Sequence, residues 1–119
     1  MDVVKKLWQA TLYSWQGLKA VYRHQWAFRF ELLAFIIAIP LSFYIGTTAT
    51  QYVLLISSVF LTLIAELFNS AIETIVDRIS REQHELSGRA KDIGSAAVLL
   101  TAINAGIIWV IIICARLFA

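Results

Sequence analysis

Cysteine, proline, glycine and charge are all scarce in this chain of 119 residues. It has one cysteine, one proline and five glycines, and 15% of its residues are charged. A lone cysteine, Cys114, excludes an intramolecular disulfide, and the two histidines, His24 and His84, are too far apart for any zinc-binding spacing. No internal repeat, low-complexity tract or linker divides the chain, so the length predicts one domain spanning residues 1–119. Ten Lys and Arg against eight Asp and Glu leave a net charge of +2, which argues against a nucleic-acid partner. No Gly-rich loop precedes a Gly-Lys-Ser/Thr, so the Walker phosphate loop is missing. No apolar stretch ending in a small-residue cleavage site follows the N-terminal lysines, so no signal peptide is expected. What the chain has instead is apolar surface. Hydrophobic residues make up 60% of it, against about 45–50% in soluble domains. A small domain in water cannot bury that much.

Charge-free runs place the membrane spans. Leu32 to Ala65 holds 34 residues without a charge, and Ile93 to Ala115 another 23. A bilayer core of about 30 Å needs only ~20 helical residues. As one helix the first run would extend about 51 Å, so it must fold back. The small, polar stretch Gly46-Thr47-Thr48-Ala49-Thr50-Gln51 marks the break. The expected architecture is all-α with three transmembrane helices, about 26–45, 51–76 and 91–117. Pro40 lies within the first, where membrane helices tolerate proline and a kink is expected. Lys5, Lys6, Lys19, Arg23 and Arg29 precede or open the first span, and Arg78, Arg81, Arg89 and Lys91 lie between the second and third. By the positive-inside rule the N-terminus and the 77–92 loop are cytoplasmic and the C-terminus is outside. Cys114, near the outer end of the third span, is assigned to packing.

Residues 5–24 have a different pattern. Trp8, Leu12, Trp15, Leu18 and Tyr22 recur at helical spacing, with Lys5, Gln9, Gln16, Lys19 and Arg23 largely between them. This predicts an amphipathic surface helix on the inner leaflet.

The informative residues lie on the second span. Glu66, Asn69, Ser70, Glu73 and Asp77 are spaced to share one helix face. Counted from Tyr52, Glu66 lies about 21 Å down the helix, still within the inner leaflet. An acid there costs ~2.5–3.5 kcal/mol on insertion scales. Asn69 and Ser70 alone would serve as glue between helices. Three acids running to the water interface suit Mg²⁺, which takes one or two carboxylates plus substrate phosphates, and a carboxylate at the depth of Glu66 suits a general base. The 78–92 segment adds the opposite charge. Ser87 and Gly88 suggest a turn, and Lys91 and Asp92 would then enter the third helix as a phosphate site. Charge alone favours reading that segment as a solvated, positive-inside loop.

Longer motifs go further. Glu66-Leu67-Phe68-Asn69-Ser70-Ala71-Ile72-Glu73, Val76-Asp77-Arg78, His84-Glu85, Ala90-Lys91-Asp92 and Gly94-Ser95-Ala96-Ala97-Val98 closely resemble the prokaryotic diacylglycerol kinase family. Tyr13-Ser14-Trp15, Gly17-Leu18 and Ala27-Phe28-Arg29 extend the likeness over nearly the whole chain. The resemblance implies a homotrimeric kinase of the bacterial inner membrane that moves the γ-phosphate of MgATP to diacylglycerol. It implies Glu66 as catalytic base and Glu73 as metal ligand. Lys6, Tyr13, Gln25, Glu73, Glu82, Gln83, His84, Lys91 and Asp92 would meet the nucleotide. Lys6, Ala10, Thr11, Tyr13, Ser14, Trp15, Glu31, Glu66 and Ser95 would meet the lipid, with Asn69 and Asp77 completing the polar site.

Two positions depart from the family pattern. Gln25 stands where the family has a second metal-ligand glutamate, which puts metal affinity and activity in question. Lys6 stands where arginine is common, which loses bidentate phosphate contact. Rival readings are an undecaprenol kinase of the same family, an inactive homologue, and a small multidrug-type transporter. The last of these uses four spans and has no acidic cytoplasmic stripe. The His-Glu-Leu-Ser-Gly-Arg run and Gly-Ser-Ala-Ala favour diacylglycerol over undecaprenol.

Overall fold

A computed structural model describes residues 2–79 and 81–119. These form four helices, α1 (Val3–His24), α2 (Trp26–Ile45), α3 (Ala49–Ile79) and α4 (Glu85–Leu117). The last three are long and apolar enough to cross a membrane, as expected for an all-α membrane protein.

Helix α1 starts two residues earlier than the periodicity suggested, because Asp2 accepts a hydrogen bond from the Val4 amide at 3.3 Å and caps it. None of its residues is buried, and its large side chains Trp8, Tyr13 and Trp15 are all exposed. The helix ends because Gln25 is extended (φ −121°, ψ 105°). Arg29, from the first turn of α2, reaches back and donates to the carbonyls of Tyr22 (2.6 Å) and Arg23 (3.2 Å). Those carbonyls belong to the last turn of α1 and have no partner along their own helix. One guanidinium therefore pins the elbow and holds Gln25 at its corner.

Helix α2 keeps its expected bounds and contains Pro40. At its end Gly46 is needed for space: a Cβ there would lie 2.9 Å from the Tyr52 ring and 3.0 Å from the Ser42 carbonyl. The expected break at 46–51 is shorter than the composition implied, since α3 already begins at Ala49. Thr48 Oγ1 accepts from the Gln51 amide at 3.2 Å, and Gln51 Oε1 accepts from the Thr47 amide at 2.7 Å. This reciprocal pair resembles a capping box and starts the helix inside the polar stretch.

Helix α3 lies at the centre, against both α2 and α4. Its eight buried residues include Ser58, Thr62, Glu66, Asn69 and Ser70, so its packed face is mainly polar. Leu54, Phe60, Leu61, Phe68 and many other apolar side chains point outward. That inversion is what a hydrocarbon solvent allows. Hydroxyl groups on the packed face bond back to their own helix, Ser58 to the Leu55 carbonyl (2.8 Å) and Thr62 to that of Ser58 (3.4 Å).

The expected loop at 77–92 and the turn at Ser87-Gly88 are both corrected. Helix α3 continues to Ile79, and α4 begins at Glu85, so Ser87 and Gly88 are helical. The reason is a cap: His84 is extended and its Nδ1 accepts from the Leu86 amide at 3.1 Å. Lys91 consequently sits in the second turn of α4.

Toward the Arg116 end of the bundle the Trp109 indole of α4 donates to the Leu55 carbonyl and to Ser58 Oγ, both at 3.2 Å. It is a long-range polar tie between α3 and α4 in a region with no water to replace it. Trp109→Phe should destabilise the folded protein in micelles by about 0.5–1.5 kcal/mol, read as a lower denaturation midpoint; an unchanged midpoint would show the tie to be dispensable.

Candidate functional site

The acidic face of α3 meets the Gln25 amide at the α1–α2 elbow and carries a second amide, Asn69, of its own. Glu66 is 5% exposed and accepts a hydrogen bond from Ser70 Oγ at 3.5 Å. Two turns nearer the elbow, Glu73 receives an amide on each carboxylate oxygen. Asn69 Nδ2 donates to Oε1 at 3.3 Å and Gln25 Nε2 to Oε2 at 3.5 Å. The first contact follows from i,i+4 spacing; the second crosses 48 residues and depends on the elbow that Arg29 pins. Glu31 of α2 lies within electrostatic range of Glu66, and Glu66 within range of Glu73.

One turn further on, Lys91 Nζ pairs with Asp77 Oδ1 at 2.7 Å, joining α4 to α3. Beside this pair is a cavity of about 590 Å³ whose walls include Arg81, Glu82, Gln83, His84 and Lys91. That volume is within the range of small-molecule sites. A larger cleft of about 1230 Å³ separates α1 from α3, with Ser14, His24, Gln25 and Arg78 among its polar walls and Leu67 and Ile75 among its apolar ones. One cleft is polar and solvent-facing, and the other runs from polar to apolar. The opposite end of the bundle holds a single charge, Arg116, over the Tyr44 ring at 5.9 Å.

The structure brings together Gln25, Glu66, Asn69, Ser70 and Glu73, and beside them Asp77, Lys91 and the 82–84 segment. Asp92 lies in a neighbouring open groove with Arg89. Ser95 faces outward from α4. Lys6, Ala10, Thr11, Tyr13 and Trp15 stand exposed along α1 and are not gathered around Glu66. The hydroxyl groups of Thr11 and Ser14 bond back to the Leu7 and Ala10 carbonyls, both at 2.9 Å. Among the described residues, no cluster of three or more His, Cys, Asp or Glu side chains is gathered around a metal position. The sequence reading missed Arg29 as the elbow pin, because no spacing rule links it to carbonyls six and seven residues back.

Residues 12–113 match the family described as Prokaryotic diacylglycerol kinase. The chain belongs to that family. A diacylglycerol kinase of Haemophilus influenzae is 52% identical over 100 residues, covering 84% of this chain and 85% of its own. That of Escherichia coli K12 is 51% identical over 105 residues, covering 88% and 86%, and that of Pseudomonas aeruginosa 45% over 103 residues, covering 85% and 84%. As a member of the prokaryotic diacylglycerol kinase family the protein is a phosphotransferase of bacterial membranes. Its buried acids and its polar cleft lie at the same end of the bundle.

The side chains of the Lys91–Asp77 pair are 42% and 44% exposed, and a pair that open contributes little to stability. Asp77→Asn should therefore leave the denaturation midpoint almost unchanged. A larger loss in a micelle unfolding assay would make the pair a structural element.

Proposed function

We propose that the protein phosphorylates diacylglycerol to phosphatidate with MgATP at the cytoplasmic face of the inner membrane. The observation that carries this reading is the buried Glu66 carboxylate, two turns from Glu73 on the same face of α3, with the polar cleft at Asp77 and Lys91 further along the same helix. A lipid hydroxyl sits at headgroup level, just under the interface, and ATP stays in water. A base and a phosphate site one above the other on one helix fit that pair of substrates.

In this proposal Glu66 accepts the proton of the lipid hydroxyl as its oxygen attacks the γ-phosphorus. The bond from that phosphorus to the bridging oxygen breaks, and ADP leaves with the electron pair. Phosphoryl transfer asks mainly for alignment and charge neutralisation, so few side chains suffice. Lys91, held by Asp77, offers an ammonium to the phosphates. Glu82, Gln83, His84 and Asp92, with Lys6 and Tyr13 from α1, would complete nucleotide binding. Ala10, Thr11, Ser14, Trp15, Glu31 and Ser95 would line the lipid side.

The donor set around Glu73 suits Mg²⁺, which needs one or two carboxylates and completes its shell with phosphates and water. Turning the Gln25 amide would add a neutral oxygen. Bound with ATP, Mg²⁺ supplies neutralisation of the phosphate charge, and Glu73 and Gln25 would hold it. The N-terminus and the α3–α4 connection are assigned to the cytoplasm and the C-terminus to the outside, because all but one of the charges lie toward one end. A homotrimer and a single kinase domain complete the proposal. The nearly uncovered α4 and the exposed α1 site residues support an assembly of copies.

Glu66→Gln keeps the shape and the Ser70 contact but cannot take a proton. It should lower kcat at least about 100-fold while leaving the KM for MgATP and the denaturation midpoint in place, assayed by ³²P transfer to diacylglycerol in micelles. An active Gln variant would remove Glu66 from the chemistry. Gln25→Glu should lower the Mg²⁺ concentration for half-maximal activity several-fold, and an unchanged Mg²⁺ titration would exclude Gln25 from the metal's surroundings.

A further inference from the structure

The five glycines are not equivalent. Gly17, Gly88 and Gly106, all helical, have open space where a Cβ would stand. Gly94 does not. It is one of two buried residues in α4, and a Cβ there would overlap Asn69 Oδ1, with Asn69 Cγ at 3.3 Å and Ile72 Cδ1 at 3.4 Å. Helix propensity favours alanine over glycine, so a glycine at this position runs against the local preference.

The Asn69 side chain explains it. Asn69 is 7% exposed. Its Nδ2 donates to Glu73 Oε1 at 3.3 Å, whereas its buried Oδ1 has no hydrogen-bond partner. An ionised carboxylate can only accept, so Glu73 takes the N–H end of the amide. The carbonyl end is thereby turned toward α4, where the Gly94 Cα hydrogen in the Cβ direction faces it. Cα–H···O contacts of this kind recur where helices pack closely. Any side chain at position 94 would occupy the space the carbonyl needs.

We propose that Gly94 is a positioning residue of the phosphoryl-transfer site. Its bare Cα seats the Asn69 amide between α3 and α4, and the amide in turn fixes the Glu73 carboxylate. The inference rests on the reading of Glu73 as the group that meets the metal–nucleotide complex. With alanine at position 94, the atom that must yield is the end of a side chain. The helices can stay packed while Asn69 swings away and Glu73 keeps only the Gln25 amide.

The test is a double-mutant cycle on the full-length protein in micelles, using wild type, Gly94→Ala, Asn69→Ala and the double variant. Glu73→Gln is the control, and the readouts are kcat, the KM for MgATP, Mn²⁺ binding by electron paramagnetic resonance and the denaturation midpoint. Gly94→Ala should raise the KM for MgATP at least about fivefold and weaken Mn²⁺ binding, with the midpoint little changed. Added to Asn69→Ala, it should change either value less than about twofold, because the residue it acts through is gone. Multiplying effects in the double variant, or an unaltered KM in Gly94→Ala, would overturn the proposal. Should Gly94→Ala not fold, Asn69→Ala in the same chain must restore folding, and a double variant that stays unfolded overturns it too. If Glu73→Gln leaves both the KM and Mn²⁺ binding untouched, the reading of Glu73 itself fails and takes the role of Gly94 with it. If only Gly94→Ala is silent, the Glu73 reading stands alone.

Discussion

A carboxylate within a hydrocarbon layer must be covered by protein, and the architecture follows from that requirement. Lipid offers no hydrogen bonds, so polar groups turn inward and apolar ones outward. Helix α3 carries Glu66 and Glu73 and is accordingly the helix in the middle, flanked by α2 and α4. Its packed face carries small hydroxyl side chains that bond to their own backbone, as Ser58 and Thr62 do. Such residues let helices approach closely without adding polar groups that need a partner on another helix.

The same requirement explains why the elbow at Gln25 matters. Polar residues inside the membrane can be satisfied within one helix, as Ser70 and Glu66 show. The proposed phosphate site would also need groups at the water boundary that come from elsewhere in the chain. The break between α1 and α2 supplies one such group, Gln25, and the capped start of α4 supplies another, Lys91. Both arrive at the end of α3 where its acidic face leaves the apolar layer. The end of the bundle bearing Tyr44 and Arg116 has no comparable convergence.

Much of this arrangement was legible in the residues themselves. The Trp26–Ile45 helix kept its bounds because an interfacial break and a polar hairpin delimit it on both sides. The shared face of Glu66, Asn69, Ser70 and Glu73 follows from spacing alone. Reading helix ends from charge failed where helices outrun the membrane. Helices α3 and α4 continue past the apolar layer because backbone hydrogen bonds do not depend on side-chain polarity, and caps such as His84 and Thr48 decide where they stop. Local spacing also could not bring Gln25 to Glu73 or Gly94 to Asn69. Those contacts depend on how helices pack, which periodicity constrains only to a face. The α1 residues assigned to substrates by family likeness stayed exposed, since α1 meets the bundle chiefly through α2.

Among the described residues, the buried side-chain atoms without a hydrogen bond are Glu31 Oε2 and Asn69 Oδ1. An unsatisfied buried polar group is costly anywhere and harder to relieve where water is excluded. Neither atom lies in the part of the bundle where hydroxyl groups and the Trp109 indole are paired. Glu31 belongs to α2, which packs against α3, and Asn69 to α3 itself, one turn from Glu66. Unsatisfied groups of this kind persist where the surrounding packing holds them for a use other than stability. On the proposed function, a lipid hydroxyl arriving beside Glu66 would bring an O–H donor into a region where acceptors outnumber donors. On that reading the site is short of what its substrate carries.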